Sequence, residues 1–187
     1  MKRRQFLVYS GLSMLVASGA AGVVRAGGAD AGDHVTIRIT SDRSGATVAY
    51  SPIGLFVRPG QTVRWLNESG VHTVTAYHPA NGARPLRIPA SAEPWDSGYL
   101  VNPGDAFERR FDVPGVYDYF CIPHEGAGMV GRLVVGEISG PGAEAFGHFQ
   151  EAHPGSSWRV IPAVARENFP DPHRILRDGV VLRPHQG

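Results

Sequence analysis

Tyr117-Asp118-Tyr119-Phe120-Cys121-Ile122-Pro123-His124-Glu125-Gly126-Ala127-Gly128-Met129-Val130-Gly131 is the stretch on which the reading of this chain turns. Tyr117 to Phe120 has the aromatic composition of a strand, so Cys121 stands where a rigid element ends. His124 follows three residues later and Met129 eight residues later. A thiolate, an imidazole and a thioether in one short loop are the soft-to-borderline donors that copper takes. The glycines at 126 and 128 let the backbone turn sharply enough to bring Met129 back towards Cys121. A second imidazole must come from elsewhere, and His72 is the candidate. The expected metal site is therefore His72, Cys121, His124 and Met129. Two imidazoles and a thiolate in a plane, with a thioether further off on the axis, make a type 1 electron-transfer geometry.

Outward from that loop, the chain reads as short strands broken by Gly/Pro turns. His34 to Thr40 alternates, with Val35, Ile37 and Ile39 on one face. Ala46 to Tyr50, Leu55 to Val57, Gln61 to Leu66, Thr73 to Tyr77, Ala106 to Phe111, Val116 to Phe120 and Val130 to Val135 complete the series. Strands at this spacing without a long helical period predict an all-β, antiparallel sandwich. Residues 77–101, with four prolines, are longer than a normal connection and are expected to form a surface loop.

After Glu137 the character changes. Ala143 to Ala152 is a short helix candidate, with Phe146 and Phe149 spaced for one face. Asp171-Pro172 followed by Gly179 places an N-cap, an N1 proline and a C′ glycine around a second helix. Val180 to Leu182 could add an extended segment. About fifty residues of this kind are too few for a core of their own, so 137–187 should pack on the sandwich as a partly helical extension. Its expected contribution is to stability or docking, with the metal spectrum independent of it.

At the other end, Lys2-Arg3-Arg4-Gln5-Phe6-Leu7 and the modestly apolar run to Val24 form a twin-arginine export pattern. Residues 1–26 are assigned to the signal peptide, 27–136 to the domain and 137–187 to the extension. The leader holds four basic side chains and no acid, and the whole chain carries a net charge of +1. The remainder is therefore mildly acidic, which argues against nucleic acid as a partner. The Gly and Ser content of the leader makes it a weak spanning helix, so the mature form is expected to have no membrane span.

Bland readings compete with each residue. A buried cysteine is ordinarily a small apolar side chain, and a strand histidine is usually solvated. Zinc takes Cys and His but builds structural sites without thioethers. A catalytic thiol needs an orienting group and oxyanion donors that the sequence does not supply. It is the Cys-x2-His-x4-Met spacing after a strand that favours copper over these readings.

The same residues resemble a known family. Tyr119 to Gly131 looks like the copper loop of cupredoxins of the plastocyanin, pseudoazurin and amicyanin group. Val57-x-Pro59-Gly60-Gln61-Thr62-Val63-x-Trp65-x-Asn67, Trp95-Asp96-Ser97-Gly98 and Asn102-Pro103-Gly104 also match that pattern. The resemblance covers roughly residues 34–136 and implies a Greek-key sandwich with one type 1 copper ion held by His72, Cys121, His124 and Met129. It further implies that His124 lies closest to solvent, within an apolar patch through which electrons pass. Members of the group often carry asparagine after the first ligand histidine, where this chain has Thr73. The backbone N–H directed at the sulfur survives that change, and the hydroxyl can still bridge to the neighbouring loop.

The function expected is a periplasmic one-electron carrier, monomeric and not an enzyme. It would serve redox proteins such as c-type cytochromes or a periplasmic oxidoreductase. A copper-delivery protein would need an exchangeable site rich in Met or His. Of the three methionines here, Met1 and Met14 belong to the leader, leaving Met129 alone. An accessory domain of a multicopper enzyme would need His-x-His and His-Cys-His ligands, and the chain has none.

Overall fold

The computed structural model describes residues 34–183. The expected twin-arginine leader, residues 1–26, falls outside the described residues. Among the described residues nine strands form two sheets. The first contains β1 (His34–Ser41), β2 (Val48–Ser51), β4 (Gln61–Asn67) and β6 (Ala106–Phe111), in the order β2-β1-β4-β6. The second runs β5-β7-β8-β3-β9, with β3 (Gly54–Val57), β5 (Thr75–Ala76), β7 (Gly115–Phe120), β8 (Val130–Val135) and β9 (Val180–Val181). The sandwich expected from the strand periodicity is thus present. Both sheets are mixed, however, because β1 pairs with β4 and β3 with β8 in parallel. Period-2 alternation assigns side chains to a face and says nothing of strand direction, so this was not legible.

Between the sheets lies one aromatic-rich core. Ile37, Ile39, Tyr50, Val63, Trp65 and Phe111 from the first sheet meet Leu55, Val57, Tyr117, Tyr119, Leu133 and Val135 from the second. Trp65 is fully buried, with ring centroids 5.4 Å from Tyr119, 5.8 Å from Phe107 and 6.1 Å from Phe111. The loop over 77–101 joins this core, contrary to its expected surface position. Ile88 is 0 % exposed, Arg87 1 % and Trp95 5 %. Prolines and an irregular pattern mark the absence of periodicity, which is a different property from exposure.

Every residue of β7 and β8 is buried, which an ordinary two-layer sandwich with one wet face does not require. The cover on the outer face is the segment after Glu137. It contains α1 (His148–Ala152), α2 (Ala163–Asn168) and α3 (Pro172–Asp178) before β9 pairs with β3. Ile175 of α3 and Val181 of β9 join Ile53, Val116 and Val134 in one apolar cluster. Ile161 and Ala165 join Tyr77, Phe120 and Val130 in another. Helix α3 has the cap the sequence predicts, with Asp171 accepting from the N–H groups of His173 and Arg174. Helix α1 is shorter than expected and begins after Phe146. That ring packs with Phe169, while Phe149 stacks on Trp158 at 4.2 Å. Among the described residues no helix is long and apolar enough to cross a membrane.

Candidate metal centre

His72 enters from the stretch between β4 and β5. Its backbone is tied in both directions to Leu100, with N–H···O distances of 3.1 and 2.8 Å. Its ring is oriented by Nε2, which lies 3.0 Å from the Ser69 carbonyl and 2.9 Å from Ser41 Oγ. A carbonyl can only accept, so Nε2 carries the proton and the lone pair resides on Nδ1. That Nδ1 lies 3.6 Å from Cys121 Sγ.

Cys121 directly follows β7 and stands at the N-cap of the 3₁₀ turn Ile122–Ala127. Its carbonyl accepts from the His124 N–H at 3.1 Å, which turns the chain back and places His124 Nδ1 3.3 Å from Sγ. The three donor atoms lie within 4.8 Å of one another. Sulfur-to-nitrogen separations of 3.3 and 3.6 Å are close to those of donors sharing one ion at bond lengths of about 2.0–2.3 Å. The site's donor set therefore fits a soft or borderline metal ion.

Met129 closes the loop. Its N–H donates to the His124 carbonyl and its own carbonyl accepts from the Cys121 N–H, both at 3.1 Å. The side chain is 1 % exposed and belongs to the main core. His72 and Cys121 are fully buried, while His124 is half-buried. Burial pushes the Cys121 thiol up to about 11, partly offset by the Thr73 N–H. It holds the His124 imidazole below the usual histidine range, and that of His72 too, where neighbouring His124 adds to the effect. Both rings are thus neutral at pH 7 and have lone pairs to give. The thiol needs a cation beside it to ionise.

Around these four residues the polar groups are matched. Thr73 N–H points at Sγ at 3.4 Å, and Thr73 Oγ1 accepts from the Ile122 N–H at 2.9 Å. The bridge expected of this hydroxyl is therefore made. Thr73 Oγ1 also meets Thr75 Oγ1, which donates to Asp96. Tyr50 OH donates to the Thr73 carbonyl.

Three contacts have no counterpart in the sequence reading. Ser41 and Ser69 orient His72. Glu125, 5 % exposed, accepts from Tyr77 OH at 2.8 Å and pairs with Arg84 at 2.5 Å. Burial raises its carboxyl above the usual range, against the Tyr77 and Arg84 contacts that lower it. Asn168 of α2 donates to the Gly128 carbonyl at 2.8 Å. Apart from Ser69 and His72, three positions apart, these contacts join residues 31 to 48 positions apart, and local spacing holds no signal of that kind.

Comparison with known proteins places this arrangement among relatives. Residues 35–136 match the family described as copper binding proteins, plastocyanin/azurin family. A chloroplastic plastocyanin of Tetradesmus obliquus is 36 % identical over 118 residues, covering 62 % of this chain and 78 % of that protein. A plastocyanin of Synechococcus sp. (strain JA-2-3B'a(2-13)) is 33 % identical over 138 residues, covering 72 % and 93 %. Among solved structures, pseudoazurin from Methylobacterium extorquens AM1 aligns with a TM-score of 0.48 at 22 % identity, over 72 % of this chain and 92 % of that one.

Proposed function

Because the chain belongs to the plastocyanin/azurin family of copper-binding proteins, we propose that it is an exported one-electron carrier whose copper is held by His72, Cys121, His124 and Met129. The observation that carries this reading is the convergence of His72 Nδ1, Cys121 Sγ and His124 Nδ1 within 4.8 Å of one another. Bound there, copper supplies a one-electron Cu(I)/Cu(II) couple.

The chain's own residues do the rest. Ser41 and Ser69 fix the His72 ring with its lone pair inward. The Thr73 N–H stabilises negative charge on Sγ. The buried core keeps water from the sulfur, while His124 reaches the surface. Val71, 46 % exposed, and Ile122, 41 % exposed, adjoin two of the ligands in sequence and lack charge, which suits brief docking of a redox protein. The partners proposed are c-type cytochromes or a periplasmic oxidoreductase, met by a monomer delivered through the twin-arginine route. The protein converts no substrate in this reading.

The test is absorption and electron paramagnetic resonance of the copper-loaded protein beside Cys121→Ser. An intense red-region band with narrow copper hyperfine splitting, lost completely in the variant, is expected. A pale, wide-hyperfine spectrum unaffected by the substitution would sink the assignment.

A further inference from the structure

Gly128 and Met129 are joined by a peptide unit whose two polar ends are both held. The Met129 N–H donates to the His124 carbonyl at 3.1 Å, within the loop that carries the site. The Gly128 carbonyl accepts at 2.8 Å from the side-chain amide of Asn168, the last residue of α2. Gly128 adopts φ +77°, a conformation that favours glycine. A Cβ added to it would lie 2.3 Å from Asn168 Nδ2 and 3.1 Å from Val164 Cγ2. The loop thus closes directly against α2, with no room for a side chain between them.

A peptide plane held by its N–H alone can rock about that bond, whereas one held at both ends cannot. This plane carries the Cα of Met129, so its orientation decides the direction in which the thioether leaves the backbone. Asn168 lies outside residues 35–136 that match the family.

We infer that Asn168 is a positioning residue for the Met129 thioether, and that the C-terminal extension thereby builds part of the metal site. The inference rests on the copper reading above. It also replaces the expectation that the extension bears only on stability and docking. The Met129 thioether would be the weakest of the four donors to a copper ion held there and one of the levers on its potential. Releasing the Gly128 carbonyl lets that donor drift, which weakens its donation to Cu(II) and raises the potential.

The experiment compares Asn168→Ala and Asn168→Asp with Ile175→Ala, a change in the extension that touches no residue of the loop hydrogen bonds. Asn168→Asp keeps the shape and replaces the donor with an acceptor facing the carbonyl. In copper-free protein the Met129 amide should exchange with solvent about tenfold faster in both Asn168 variants, the effect of one lost hydrogen bond. In copper-loaded protein the ratio of the two main visible bands should change and the potential should rise. Ile175→Ala should lower thermal stability while leaving the band ratio and potential at wild-type values. Folded Asn168 variants with wild-type exchange, band ratio and potential would overturn the inference. So would equal spectral changes in Ile175→Ala, which would reduce Asn168 to general stability. A wild-type protein that never develops the copper bands, yet shows faster Met129 exchange in the variants, would remove the copper reading and leave Asn168 as a support for the loop alone.

Discussion

The two faces of β7 are built on opposite principles. Tyr117 and Tyr119 point into the sandwich, where they meet Trp65, Phe111 and Tyr50 through ring contacts, and the strand leads directly to Cys121. On the other face, between Val116 and Phe120, stands Asp118 with 0 % exposure. Arg87 Nε reaches its carboxylate at 3.0 Å and Arg132 Nε at 2.7 Å. The same guanidinium groups continue outward to carbonyls of the extension. Arg87 donates to Gly142 and Glu144, each at 2.7 Å, and Arg132 to Pro170 at 2.8 Å. They also lie over the rings of Phe146 and Phe169. One face is joined by area and shape, the other by a charged hub that pins an added layer. The first leads into the ligand loop and the second ties the extension to the sandwich.

Removing the hub is the strongest way to separate the faces. Asp118→Ala leaves two buried guanidinium groups without their counter-charge, which costs about 3–5 kcal/mol. At this chain length that corresponds to a fall in Tm on the order of 10 °C. The protein that remains folded should keep its copper bands, since no ligand or ligand-orienting residue touches Asp118. Thermal melts and spectra of the same sample check both statements. Bleaching in step with the lost stability would mean that the faces are one cooperative unit.

Ile175→Ala tests the apolar part of the same layer. Ile175 is 0 % exposed and sits over Gly54 of β3, where an added Cβ would come within 2.8 Å of it. Losing a buried isoleucine of this kind costs about 2–4 kcal/mol, measurable in denaturant as a lower midpoint with little change in slope. A cost near that of Asp118→Ala would show that apolar cover holds the layer as firmly as the charges do.

The inner face was largely legible and the outer face was not, for a physical reason. Cys121, His124 and Met129 occupy one loop, so their spacing alone declares a donor set, and His72 follows from a need for one more imidazole. Strand alternation likewise placed Val35, Ile37 and Ile39 on one face, and Ile37 and Ile39 are fully buried with Val35 packed beside them. The outer face depends on pairings such as Arg87 with Glu144 and Asn168 with Gly128, 57 and 40 positions apart. Neither has a local period. Helix α2 was missed because its six residues follow a proline and show no cap side chain. Helix α3, of seven residues, was found because Asp171, Pro172 and Gly179 mark both of its ends.

That last contrast yields the smallest effect, and one with a pH signature. Asp171 Oδ1 accepts from the His173 N–H at 2.7 Å and from the Arg174 N–H at 3.2 Å. The Arg174 and His173 backbone bonds hold its carboxyl below the ordinary aspartate value of 3.8. Unfolded chains therefore bind more protons than folded ones just below that value, and the cap's contribution rises with pH there. It is fully present above about pH 4 and disappears as the pH falls through the lowered folded value. Asp171→Ala should cost about 1 kcal/mol at neutral pH, a Tm loss of roughly 3 °C. The difference from wild type should close as the pH is taken below 4, and the copper bands should not change at neutral pH. A deficit that persists undiminished into acid would show that Asp171 acts by shape and not by its charge. The outer layer would then owe less to electrostatics than the Asp118 hub suggests.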